Sequence, residues 1–272
     1  MKLSYCQWGL DEGFGPLRLW RRLRRTRIPE PRSLALLADL GFHSVDISPT
    51  MQKTGDATST LSNLDMDVCC LSLSHEAPLN SSFDSDDDSV VAPMENHVHQ
   101  GIRHAAKLGA GYAYVVPPKP KDQDTLPILS QRYRQLAELG QSQGLKIAIE
   151  HFPGTVLPTV KATLELIETV DHPNLYLLFD IGHAQMSEEN PADVLPLAGD
   201  RLSYIHLDDN DGKGDLHLAL TDGIQTKESL TAFFSVTKDI GYNGPFSLEM
   251  HPTLPNPLDA IRRSKMIVED CW

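Results

Sequence analysis

A single α/β domain, a (β/α)8 TIM barrel over residues 1–272, is the fold this sequence predicts, and three observations predict it. Apolar runs of strand length alternate with helical stretches along the whole chain. Eight such alternations can be read, which favours a closed barrel over an open sheet. Four of the runs close on a metal-type side chain, Glu150, Asp180, His206 and Glu249, at intervals of 30, 26 and 43 residues. Those intervals lie near the ~30 residues per unit of a ~250-residue barrel.

Residues 3–8 (LSYCQW), 43–47 (HSVDI), 66–73 (MDVCCLSL) and 112–116 (YAYVV) read as the first four strands. The other four lie at 145–150, 174–179, 202–207 and 245–249. Their near-continuous apolar character is that of parallel strands covered on both faces. Helices are expected at 122–143, 158–170 and 227–239, where apolar residues recur at three- and four-residue spacing. Gly144 and Gly241 fall where a helix ends before the next strand, the C′ position. The polar stretch 79–92 (LNSSFDSDDDSVVA) follows the third strand, so it is expected to be a surface loop over the mouth of the barrel and a mobile lid.

A net charge of −13 and a mean hydropathy of −0.27 describe an acidic, water-compatible chain. No run approaches the ~20 apolar residues of a membrane span. The start, MKLSYCQWG, lacks the apolar core of a signal peptide. Cys6, Cys69, Cys70 and Cys271 show neither a disulfide framework nor zinc spacing, and a reduced, cytoplasmic protein is expected. Residues 18–32 carry seven arginines against Glu30 alone. That segment reads as a solvated face or a contact with an acidic neighbour. An acidic body repels a phosphate backbone, so nucleic acid is not the expected partner.

Strand carboxyl ends are where such folds place chemistry. Two Glu, one Asp and one His converging there give an oxygen-rich site with one nitrogen. The set suits Mg²⁺, Mn²⁺ or Co²⁺ and accommodates Zn²⁺. His183 follows Asp180 by three residues in FDIGH, placing it beside the ligands for substrate or a second ion. In HLDDNDGKGDLHL, Asp215 and His217 stand two apart; on an extended segment they would share one face, half of a metal site. The alternative there is a turn-forming Asp and a surface His. His75, after the third strand, faces the same mouth as a substrate or metal group. Trp8 and Lys119 could stack a sugar ring and hold a phosphate, against a core tryptophan and a solvated lysine.

The motifs IAIEHFP, FDIGH, HLDDNDG with its following DLH, and SLEMHP resemble those of the xylose-isomerase-like barrel superfamily. This is the sugar phosphate isomerase/epimerase group, related to endonuclease IV, and the likeness runs along nearly the whole chain. The resemblance implies a single divalent ion on Glu150, Asp180, His206 and Glu249. It implies that Glu150 and Glu249 flank a ketose, one removing and the other returning a proton, with His183 on substrate oxygens. It also implies a homodimer. Endonuclease IV holds a zinc cluster with matches to His75, His183, Asp215 and His217. Here the fourth strand ends YVVPPKP, with Pro117 near the place of an expected histidine. The DGKGD stretch likewise stands where ketose epimerases carry an arginine.

The function expected is therefore a metal-dependent isomerase or epimerase of a keto sugar or sugar phosphate, working through an enediolate on a small carbohydrate. A dehydratase of an inosose- or dehydroshikimate-like ketone, a zinc phosphodiesterase and a non-catalytic sugar-binding barrel are the competing readings.

Overall fold

The computed structural model describes residues 1–10, 30–48 and 57–272. The eight strands are β1 (Leu3–Cys6), β2 (Ser44–Ile47), β3 (Asp67–Ser72), β4 (Tyr112–Val115), β5 (Lys146–Glu150), β6 (Leu175–Asp180), β7 (Leu202–Leu207) and β8 (Phe246–Leu248). Each pairs in parallel with the next, and β8 pairs with β1 to close the barrel.

Helices described on the outside are α1 (Glu30–Asp39), α2 (Ala57–Asn63), α3 (Asp88–Lys107), α4 (Leu126–Ser142), α5 (Val160–Val170), the short α6 (Ile181–Met186) and α7 (Pro191–Val194), α8 (Lys227–Asp239) and α9 (Pro257–Cys271). Gly144 and Gly241 close α4 and α8 with φ of 76° and 71°, a backbone that costs glycine little and other residues more. No described helix is long and apolar enough to cross a membrane.

Strand residues alternate between two apolar layers, and this alternation sets the chemistry. Ile147, Ile149, Leu177, Phe179, Ile205 and Leu207 face outward into the layer shared with the helices. Ala148, Leu178 and Tyr204 face inward with Cys6, Cys70 and Tyr114 in a smaller cluster inside the barrel. One step further along the inward phase of β5, β6 and β7 come Glu150, Asp180 and His206. A slip of one residue would send all three into the helix layer.

Two expectations change. Part of the 79–92 stretch is helix, because Asp87 accepts the Ser89 N–H at 2.8 Å and caps α3, with Asp88 in its first turn. An aspartate-rich run at a helix start complements the helix dipole, which sequence composition reads as loop. The centre of that stretch is packed, with Phe83 7% and Asp84 0% exposed, while Leu79, Asn80 and Asp86 are at the surface. Of the arginine-rich segment, residues 18–29 lie outside the described residues.

Candidate active site

Glu150 ends β5, Asp180 ends β6, His206 lies in β7, and Glu249 follows β8 with its N–H bonded to Leu207 O at 3.1 Å. All four are brought to one point. Around His206 Nδ1 stand Glu249 Oε2 at 2.8 Å, Glu150 Oε1 at 3.1 Å and Asp180 Oδ2 at 3.7 Å. Three carboxylates in a water-poor barrel mouth repel one another, and a cation between them relieves that repulsion. Asp180 Oδ2 is buried without a hydrogen bond, while Oδ1 accepts the His183 N–H at 2.7 Å as the cap of α6. An orphaned carboxylate oxygen among two glutamates and a histidine fits a divalent ion.

The ionisation of the metal-free group reflects the same crowding. Burial pushes Asp180 well above the carboxylate range, with Asp208 and Glu150 adding to it. Burial also opposes charge on Glu249, yet His206 and His217 with the Trp8 hydrogen bond bring it down to about 2. Burial disfavours a charged His183, but Asp180 and Asp215 outweigh it and lift the ring to about 10. His206 is likewise raised, against burial, chiefly by Glu249.

A second group stands beside the first. Asp215 Oδ1 lies 3.0 Å from His217 Nε2 and 3.5 Å from His183 Nε2, and these donor atoms all fall within 4.8 Å of one another. Of the other ring nitrogens, His183 Nδ1 is hydrogen-bonded to the His151 carbonyl at 3.0 Å, and His217 Nδ1 faces Asp208 Oδ2 at 3.1 Å. The expected extended geometry of Asp215 and His217 is not what joins them. His217 takes a left-handed backbone, φ 43°, and turns its ring back onto Asp215.

Above these residues is a cavity of about 410 Å³, lined by Glu150, His183, His217 and Glu249 together with Ser82, Phe83, Met94 and Phe152, the last packed on the His183 ring at 4.2 Å. Its size is that of a small-molecule site. Trp8 and His75 both line it, their rings stacked at 5.4 Å, and neither belongs to a metal-ligating group among the described residues. Trp8 donates its indole N–H to Glu249 Oε1 at 2.9 Å. Lys119 is exposed and outside the lining, because the chain after β4 turns through Pro117 and Pro118, which do line it.

Two acidic residues escaped sequence reasoning. Asp208 sits in the LDDND turn, accepting the Gly182 N–H at 3.1 Å and facing His217. A Cβ on Gly182 would lie 2.3 Å from Asp208 Oδ1, so any larger residue there displaces the Asp208 carboxylate. Asp46 lies wholly inside the barrel under His206. Burial raises its carboxyl, while His206, Ser4 and Tyr204 act in the opposite direction.

The family profile described as xylose isomerase-like TIM barrel matches residues 34–269. An inosose dehydratase of Clostridium perfringens is 30% identical over 160 residues, 52% of this chain and 53% of that one. An uncharacterized protein of Methanocaldococcus jannaschii is 32% identical over 145 residues, 50% of this chain and 45% of the other. The chain thus spans about half the length of the curated relatives it matches. A D-allulose 3-epimerase from Methylomonas sp. shares the fold with a TM-score of 0.80, over 100% of this chain and 98% of that one, at 16% identity.

Proposed function

The chain belongs to the xylose isomerase-like TIM barrel family, and we propose that it is a divalent-metal-dependent epimerase or isomerase of a keto sugar. The observation that carries this reading is the meeting of Glu150 and Glu249 at one histidine nitrogen, 3.1 and 2.8 Å away, on the floor of the cavity. Two-base epimerisation next to a carbonyl uses a proton acceptor on one side of a planar intermediate and a donor on the other, roles that carboxyl groups can fill. Strand ends β5 and β8, separated around the barrel mouth, supply that pair.

Glu150, Asp180, His206 and Glu249 would hold the ion, whose part is to polarise the carbonyl and stabilise the enediolate. One glutamate takes the proton and the other returns it. Trp8 fixes Glu249 Oε1, so this carboxylate meets substrate in a set orientation. His183, held by the His151 carbonyl, lines the cavity with its Nε2 beside Asp215 and positions hydroxyl groups. Phe83, Met94 and Phe152 exclude water from the proton-transfer step. Lys119, the lysine read as a phosphate holder, stands outside the lining, which favours a keto sugar over its phosphate.

The test is solvent deuterium incorporation into a panel of ketoses by protein loaded with Mn²⁺ or Co²⁺. Deuterium at the carbon beside the carbonyl, together with an epimer or isomer, is the expected result. Loss of water without an epimer would move the assignment to a dehydratase, a reading that the inosose dehydratase likeness supports. Two or more tightly held zinc ions and cleavage of abasic-site DNA would move it to a phosphodiesterase. The His183, Asp215 and His217 group is the feature that favours this last outcome.

A further inference from the structure

His206 is addressed from both of its nitrogens, and only one faces the cavity floor. Nδ1 looks toward Glu150, Asp180 and Glu249. Nε2 points into the barrel, where it is buried without a hydrogen bond and Asp46 Oδ2 stands 3.9 Å away. Asp46 is fully buried on β2, far from the mouth's solvent. Its Oδ1 takes hydroxyl protons from Ser4 at 2.6 Å and Tyr204 at 2.7 Å, while Oδ2 receives the Cys6 thiol at 3.7 Å. Two short bonds thus lock the carboxylate with its second oxygen turned toward the histidine.

We propose that Asp46 is a positioning residue for the metal centre, holding His206 in the tautomer that carries its proton on Nε2 and leaving the Nδ1 lone pair for the ion. A neutral imidazole has one N–H and one lone pair, and the partner of one nitrogen decides which is which. Three carboxylates facing Nδ1 attract a proton to that atom in the metal-free protein. A carboxylate behind Nε2 supplies the opposing pull, and such partners of ligating histidines are worth 10–100-fold in metal affinity. This inference rests on the metal reading above and names a residue that acts through His206 without touching substrate.

The experiment is chelator competition with Zn²⁺ and Co²⁺, without substrate, on wild type, Asp46→Asn, Tyr204→Phe and Cys6→Ala. Asparagine keeps the Ser4 and Tyr204 hydroxyls on its oxygen and so turns its amide toward Nε2, where donor meets donor. Asp46→Asn is expected to weaken metal binding about 10–100-fold. Tyr204→Phe and Cys6→Ala, which keep the carboxylate but remove one of its partners, should weaken binding less than Asp46→Asn does. Long-range ¹H–¹⁵N spectra of zinc-loaded wild type, assigned by comparison with His206→Gln, should place the His206 proton on Nε2. That spectrum shows which nitrogen binds the ion. Where Asp46→Asn fails to fold, the double variant Ser4→Ala/Tyr204→Phe frees the Asp46 carboxylate. It should weaken metal binding more than Tyr204→Phe alone, and wild-type affinity in it overturns the inference. Equal affinity in Asp46→Asn, equal losses in the two control variants, or a proton on Nδ1 overturns the inference alone. A wild type that takes up no ion overturns the metal reading and this inference with it.

Discussion

The indole N–H of Trp8 donates to Glu249 Oε1 at 2.9 Å, while Oε2 of the same carboxylate lies 2.8 Å from His206 Nδ1. One oxygen is therefore held by the first strand's end and the other faces the metal group. Glu249→Gln keeps the shape but removes the base. It should weaken metal binding and, at metal concentrations that still fill the site, lower solvent-proton exchange by about 10²–10⁴-fold. Trp8→Phe frees Oε1 and should cost about tenfold, within the range for hydrogen bonds to charged groups. Isotope exchange by mass spectrometry reads both, and undiminished exchange in Glu249→Gln removes this residue from the acid–base pair.

Asp215 joins two rings that line the cavity, so its loss should be felt by the substrate. Asp215→Asn is expected to raise KM about tenfold, a hydrogen-bond-sized effect, with kcat changed far less. Metal analysis of the same sample should show the ion at the Glu150 group unchanged. A parallel loss of one bound ion per chain would instead make Asp215 a ligand.

Proton release should accompany metal uptake. In the metal-free protein His206 is raised by Glu249, against burial, and Asp180 is raised by burial. Ligation requires a neutral His206 and an ionised Asp180, so affinity should increase with pH and fall off in acid. Calorimetry in two buffers of different ionisation heat, at pH 6 and pH 8, measures the protons released. Zero release at both pH values contradicts the site described.

Folding stability of the metal-free chain carries its own pH signature. His183 rises from 6.5 to about 10. Its contribution is full below the unfolded value and is lost as pH climbs through about 10. Glu249 falls from 4.5 to about 2, so its contribution is full above 4.5 and is lost as pH drops through about 2. Thermal melts should weaken toward both extremes, and His183→Ala should flatten the alkaline side.

Asp84 is fully buried and bonded by Lys121 Nζ at 2.8 Å and by the Ser82 hydroxyl. Lys121→Met strands that carboxylate and should destabilise by about 1–3 kcal/mol. Melting should drop by roughly 2–4 °C per kcal/mol for a chain of this size. Adding Asp84→Asn should restore part of it. Because Ser82 and Phe83 line the cavity, KM should rise in the single variant.

Glu150, Asp180, His206 and Glu249 were legible because each ends an apolar run at the inward phase, where an isolated polar residue stands out. Asp46 was hidden in SVDI. Its meaning comes from Tyr204, 158 residues away, and a buried acid in a short strand looks like any edge residue until the barrel closes. Asp208 and Asp209 read as one turn, yet the first faces His217 and the second accepts the N–H groups of Gly223 and Gln225. Composition made 79–92 a lid, whereas pairing with Lys121 packs its centre. Backbone handedness at His217, which brings it to Asp215, has no sequence signature outside glycine and asparagine.

The four groups proposed to hold the ion come from the ends of β5 to β8, whereas Trp8, His75, Ser82, Phe83 and Pro117 reach the cavity from the ends of β1, β3 and β4. The groups of the proposed metal site therefore come from one half of the ring and most of the remaining cavity wall from the other. On the function proposed, loops of the first half can be exchanged to alter which ligand is admitted while the metal-holding half is left in place.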